Sequence, residues 1–173
     1  CALPILRRSN FTGLAGILDA EGLPRADVLL ADLGLSSMQI DDPARGFTFK
    51  RTGPLDLRMN MKRGQSASAL LASLDARALA RMLEEHADQP GAAALAEAIV
   101  ARQRQAPITT TTALADAVRE ALPAPGRRAA ADADERDVSV RRVFQALRIA
   151  VNDELSALST ALAAAIAALR VGG

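Results

Sequence analysis

The chain has 173 residues, half of them apolar, with 21 basic and 20 acidic side chains, no Trp and no Tyr. Charges that nearly cancel exclude a global field for nucleic acid, so any such binding must come from a local basic patch. The single Cys1 excludes an internal disulfide and a multi-cysteine metal site, and no apolar run reaches the roughly 20 residues of a membrane span.

What remains is one domain, or one with a small insert, whose core is Leu, Val, Ile and Ala. A cytoplasmic protein is the default expectation. Residues 12–21, "TGLAGILDAE", place Leu14, Ile17 and Leu18 on one helical face, and Gly22 with Pro24 ends the helix. In "ADVLLADLG" the continuous run Val28, Leu29 and Leu30 predicts a strand buried on both faces, as in a parallel sheet covered by helices. Helix, tight loop and buried strand make half of a doubly wound α/β unit.

Phe47 to Gly64 reads as irregular, with Gly53-Pro54 as a turn signal. Short amphipathic helices follow. "SLDARALARMLEEHA" puts Leu74, Ala78, Leu79, Met82 and Leu83 on one face, "AALAEAIVARQRQ" is next, and the threonines of "PITTTTALADAVREALP" suit N-caps of a helix ending near Leu122. Residues 123–137, "PAPGRRAAADADERD", predict a mobile linker. Val140, Phe144, Leu147, Val151, Leu155, Leu158, Leu162, Ile166 and Leu169 then recur at steps of three or four, which predicts one long amphipathic helix laid over the sheet. The expected architecture is an α/β core from residues 6–60 and 136–173, interrupted by an all-helical insert over 61–135.

In open α/β sheets ligands bind beyond the carboxyl ends of the strands. Asp32 sits there, before Gly34, Ser36, Ser37 and Gln39. Such groups also cap turns and satisfy loop backbone, so position alone leaves both readings open. Arg45, Gly46, Phe47, Phe49, Lys50, Arg51 and Arg58 combine cations with two of the four aromatics, which suits phosphate contact and base stacking in single-strand RNA recognition. Equally, the phenylalanines pin a loop to the core while the arginines stay in water. Arg141, Arg142 and Arg148 on the long helix read as solvated cations. His86, the one histidine, has no ligand cluster around it, and no metal is expected.

The order and spacing of "LLADLGLSSMQIDDPARGFTFKRTGPLDLRMN", "RGQSA", "ITTTTALADAV" and "FQALRIAVNDEL" resemble the MraW/RsmH family over about Phe11 to Gly173. The resemblance implies a class I (Rossmann-like) methyltransferase core with an inserted helical domain. It implies S-adenosylmethionine as methyl donor, and as substrate the N4 amine of a cytidine in the decoding region of 16S ribosomal RNA in the small subunit. Carried over by position, Phe11 in "SNF" lies near the donor's adenine, and Asp32 in "ADLG" and Gln39 in "SSMQ" contact the donor. Asp32 is also the candidate catalytic acceptor, because a carboxylate hydrogen-bonded to the amine would localise its lone pair. Arg45, Phe47, Arg51 and Arg58 are the candidate RNA contacts. The oligomeric state stays open, a homodimer included.

Departures from the family set further expectations. Met38 replaces a usual proline, and "DVSVRR" replaces the usual lead-in to Phe144. The family's Gly-rich donor loop and its acidic ribose partner have no counterpart here. "CALPIL" lacks a Met and reads like a translated sequencing adapter, so residues 1–5 are expected to be an artefact, and the chain a fragment that neither binds the donor tightly nor turns over alone. The competing expectation is a non-enzymatic helical RNA-binding or interaction module.

Overall fold

A computed structural model describes residues 4–123 and 129–170; for 129–133 only the backbone is described. Eight α-helices occur among the described residues: α1 (Leu14–Ala20), α2 (Ser37–Asp41), α3 (Ala67–Ser73), α4 (Ala76–Ala87), α5 (Ala92–Gln105), α6 (Thr111–Ala121), α7 (Ala129–Asn152) and α8 (Glu154–Ala168). Several start where the sequence supplies a cap. Ser66 Oγ accepts from Ala69 N at 3.3 Å, Asp75 Oδ1 from Ala78 N at 2.7 Å, and Thr110 Oγ1 from Ala113 N at 3.3 Å. Each such cap is worth about 1 kcal/mol, because it satisfies an amide that the first helical turn leaves open.

Two compact units result. Leu35–Asn152 form one, and the residues up to Gly34 with those from Asp153 onward form the other. In the larger unit α4 packs on α5 and α7, and α6 packs on α5 and α7. Leu79, Leu83, Ile99, Leu114, Val118, Val140 and Leu147 fill the space between them and are fully buried. At about 25 cal/mol per Å² of apolar surface, residues of this size each contribute roughly 2 kcal/mol. In the smaller unit α1 packs on α8. A single parallel bridge ties its ends: Ala26 N donates to Ala168 O at 2.7 Å and Arg170 N donates to Ala26 O at 3.0 Å.

Three expectations need correction. Val28, Leu29 and Leu30 form no ladder among the described residues, and Val28 and Leu30 are 81% and 90% exposed. A strand buried on both faces needs paired neighbours and covering helices, and the described residues offer it only the Ala26–Leu169 bridge. The expected linker also shortens. Residues 129–137 are helical, because "AAADADERD" is rich in strong helix formers; the remainder at 124–128 lies outside the described residues.

The long helix, finally, is two. Asp153 has φ 50° and ψ 44°, a left-handed conformation that an α-helix of L-residues does not continue. The periodic residues part company at that break: Val140, Phe144 and Leu147 are core of the helical unit, whereas Leu155, Leu162 and Ile166 are exposed. No sheet lies under either helix among the described residues. The unit boundaries fall at 34/35 and 152/153, against the sequence division at 60/61 and 135/136. The cause is that residues 45–59 and 139–152 are bound into the helical unit by the contacts described next.

No single described helix is long and apolar enough to cross a membrane.

Candidate functional site

The smaller unit holds a cleft of about 370 Å³ lined by Phe11, Leu14, Ile17, Leu29, Leu158 and Leu162, with Ser9, Asn10 and Asp32 among its polar groups. Asn10 fixes the approach of Phe11. Its Oδ1 accepts from Thr12 N at 3.0 Å and its carbonyl accepts from Gly13 N at 2.9 Å, so Phe11 opens a 3₁₀ turn and is itself 42% exposed. Asp32 is exposed, and its carboxylate makes no hydrogen bond or ion pair among the described residues. The structure thus brings Phe11 and Asp32 to one apolar cleft with an available acceptor.

Gln39 lies in the other unit and is committed locally. Ser36 Oγ accepts from Gln39 N at 3.3 Å while Ser36 N donates to Gln39 Oε1 at 2.9 Å, a reciprocal capping box at the start of α2. The signal was present in the sequence as Ser36-x-x-Gln39.

Residues 42–64 build the second constellation, wholly within the helical unit. Gly46 has φ 74°, and a Cβ there would run into Pro54 O; a Cβ on Gly53 would run into Pro43 O. Backbone therefore packs on backbone. Leu55, Asp56 and Leu57 are 1%, 8% and 1% exposed, and Leu57 holds φ 60°, an unfavourable value for a branched side chain. Beside it Asp56 receives a forked ion pair: Arg58 Nε donates to Oδ1 at 2.9 Å and Nη2 to Oδ2 at 2.7 Å. These hydrogen bonds hold the Asp56 carboxyl below its usual range, against the opposing pull of burial.

The same backbone is gripped from two sides. Arg45 Nη2 donates to Arg58 O at 3.0 Å and Met59 O at 2.9 Å, and its guanidinium stands 5.5 Å from the Phe47 ring centre. From the end of α7, Asn152 Nδ2 donates to Leu57 O at 2.8 Å and to Arg148 O at 2.9 Å, while Met59 N donates to Asn152 Oδ1 at 2.7 Å. Thr111, fully buried, braces the stretch before: its Oγ1 donates to Arg51 O at 2.9 Å and accepts from Gly53 N at 3.2 Å.

Of the candidate RNA contacts, Arg45 and Arg58 thus have internal partners, and Phe47 packs against the core. Phe49 does likewise, 5.5 Å from Phe144 and with the Arg119 guanidinium 5.7 Å from its ring centre. Arg51 is exposed and its guanidinium has no partner among the described residues. Asn152 and Thr111 are the residues that periodicity missed. The threonines of "ITTTT" read only as a cap, and "VNDEL" stands in the sequence only among the stretches that carry the family resemblance.

The chain falls among the methyltransferases: the model of the MraW methylase family matches residues 4–173. The chain belongs to the MraW methylase family. Among curated relatives it is similar to the ribosomal RNA small subunit methyltransferase H of Acidothermus cellulolyticus, 45% identical over 94% of this chain and 48% of the relative. The proteins of the same name from Mycolicibacterium smegmatis and Geotalea uraniireducens are 41% and 44% identical, each over 97% of this chain and over 43% and 52% of their own lengths. The chain spans about half the length of the curated relatives it matches.

Proposed function

We propose that the protein carrying this chain transfers a methyl group from S-adenosylmethionine to the N4 amine of a cytidine in 16S ribosomal RNA, on a class I methyltransferase core. The observation that carries the reading is the meeting of Phe11 and Asp32 in one apolar cleft. Family membership and relatives named as ribosomal RNA methyltransferases support the reaction class. An aromatic face beside aliphatic walls suits the donor's purine, and Ser9, Asn10 and Asp32 suit its polar groups. Phe11 and Asp32 would hold the donor, which supplies an electrophilic sulfonium methyl.

What this chain's residues do follows from the acceptor's chemistry. The N4 amine of cytosine is a weak nucleophile because its lone pair is delocalised into the ring. A carboxylate accepting an N4 hydrogen would localise that pair and orient it. Asp32, unpartnered among the described residues, is the group assigned that role. Arg51 is assigned to RNA. The helical region over 61–135 is assigned to substrate recognition, and the site of action is the cytoplasmic small subunit.

The test is methylation of small-subunit particles by the full protein, compared with Asp32→Ala, with donor affinity followed by calorimetry. Loss of methyl transfer with donor binding retained assigns Asp32 to the amine. Loss of both assigns it to the donor. Undiminished transfer in Asp32→Ala removes the residue from the site.

A further inference from the structure

We propose that residues 50–64 form a preset platform for an RNA strand, in which Lys50, Arg51, Lys62 and Arg63 meet the phosphates while Arg45 and Asn152 are positioning residues. This rests on the reading of the protein as acting on RNA. It moves the phosphate contacts away from Arg45 and Arg58 and adds Lys62 and Arg63.

Charge is the first support. The chain as a whole is almost neutral, with a formal net charge of +1. Asp56 is the sole acid among residues 50–64, and Arg58 already neutralises it. Lys50, Arg51, Lys62 and Arg63 are all exposed, and their side chains have no counter-charge among the described residues. They stand on both sides, in sequence, of the buried Leu55–Asp56–Leu57. Such a local excess of uncompensated cations within one stretch of chain is what a neutral chain needs if it is to hold a polyanion.

Rigidity is the second. Exposed cations usually remain solvated, and ordering them on binding costs entropy. Here the backbone that carries them is ordered beforehand. Thr111 holds Arg51 and Gly53, Asn152 holds Leu57 and Met59, and Arg45 holds Arg58 and Met59. The turn beyond is closed by Asn60, whose Oδ1 accepts from Lys62 N at 3.1 Å and whose carbonyl accepts from Arg63 N at 3.1 Å. Arg58 Nη1 reaches Gly64 O at 3.2 Å. Leu57, kept at φ 60° in a buried place, is backbone strain that only such over-determination sustains, and strain of this kind clusters where ligands are met.

The experiment measures binding of the full protein to a 16S rRNA transcript across a salt series. For Lys62→Ala/Arg63→Ala the affinity falls about tenfold, and the plot of log affinity against log salt flattens by about 1.4, because two fewer phosphates are neutralised at about 0.7 each on a single strand. For Asn152→Ala the affinity falls several-fold while the salt slope stays at the wild-type value, since no phosphate contact is removed. Asn152→Asp, which keeps the acceptor for Met59 N, recovers part of the loss and covers the case in which Asn152→Ala folds poorly. Unchanged affinity and slope in the double variant overturn the proposal. So does an Asn152 series whose affinity falls only in step with its folded fraction. Methyl transfer by the wild-type protein, measured alongside, judges the enzymatic reading separately.

Discussion

Thr111 and Gly53 exchange a pair of hydrogen bonds across 58 residues of sequence: Thr111 N donates to Gly53 O at 2.9 Å, and Gly53 N donates to Thr111 Oγ1 at 3.2 Å. One hydroxyl thereby docks the Arg51–Leu55 stretch onto the first turn of α6. Thr111→Val keeps the shape but strands Gly53 N and Arg51 O, which costs about 1–3 kcal/mol. Thr111→Ser retains most of the stability. Urea midpoints of the two variants check this, and equal midpoints would remove the hydroxyl's role.

Gly46 and Gly22 share a left-handed φ, 74° and 66°, but differ in surroundings: a Cβ on Gly46 meets Pro54 O, whereas one on Gly22 meets open space. Gly22→Ala therefore costs backbone strain alone, about 1 kcal/mol. Gly46→Ala costs that plus displacement of the Pro54 peptide, about 3 kcal/mol or more. Thermal melts of the two variants should separate clearly.

The Asp56–Arg58 pair makes stability depend on pH in one direction. Arg58 holds the Asp56 carboxyl below its ordinary value, so the unfolded chain takes up the proton first. The pair's contribution is fully present above the unfolded value of about 4 and is lost as pH falls through the lower folded value. Wild type should exceed Asp56→Asn at neutral pH, and the gap should narrow from about pH 5 to about pH 3. A gap that is constant over that range would contradict the linkage.

Phe11 offers an exposed ring that its Asn10-capped turn holds in the cleft. Phe11→Ala should weaken S-adenosylmethionine binding to the full protein by about tenfold, the loss of one stacked aromatic face. Phe11→Tyr should bind near the wild-type level. Calorimetry reads both, and an unaltered Phe11→Ala affinity would place the donor elsewhere.

Local features were the legible ones. Ser66, Asp75 and Thr110 each precede an apolar helical period, and each caps the helix so announced. The Ser36–Gln39 box is equally local, although a loop after a strand gives the same letters another meaning. Distance defeats such reading. The amide of Asn152 finds partners 95 and 93 residues earlier, at Leu57 and Met59, and nothing in "VNDEL" points there. Arg45 and Arg58 look like surface cations until the backbone carbonyls and the Asp56 carboxylate they face are known. The run Val28–Leu30 has the apolarity of a buried strand, yet pairing belongs to the neighbours, and a one-dimensional pattern does not contain them.

The close backbone approach at Gly46 and Gly53 has a consequence for how this family member could vary. Shape in residues 42–64 is set by two glycines, three buried side chains and an inward ion pair, none of which is one of the exposed cations. Fold and surface chemistry are thereby uncoupled. Lys50, Arg51, Lys62 and Arg63 can be exchanged for other polar residues at little cost to stability, so the loop can drift in charge and still fold. The glycines tolerate no such drift, and evolution toward a new partner would proceed through the cations alone.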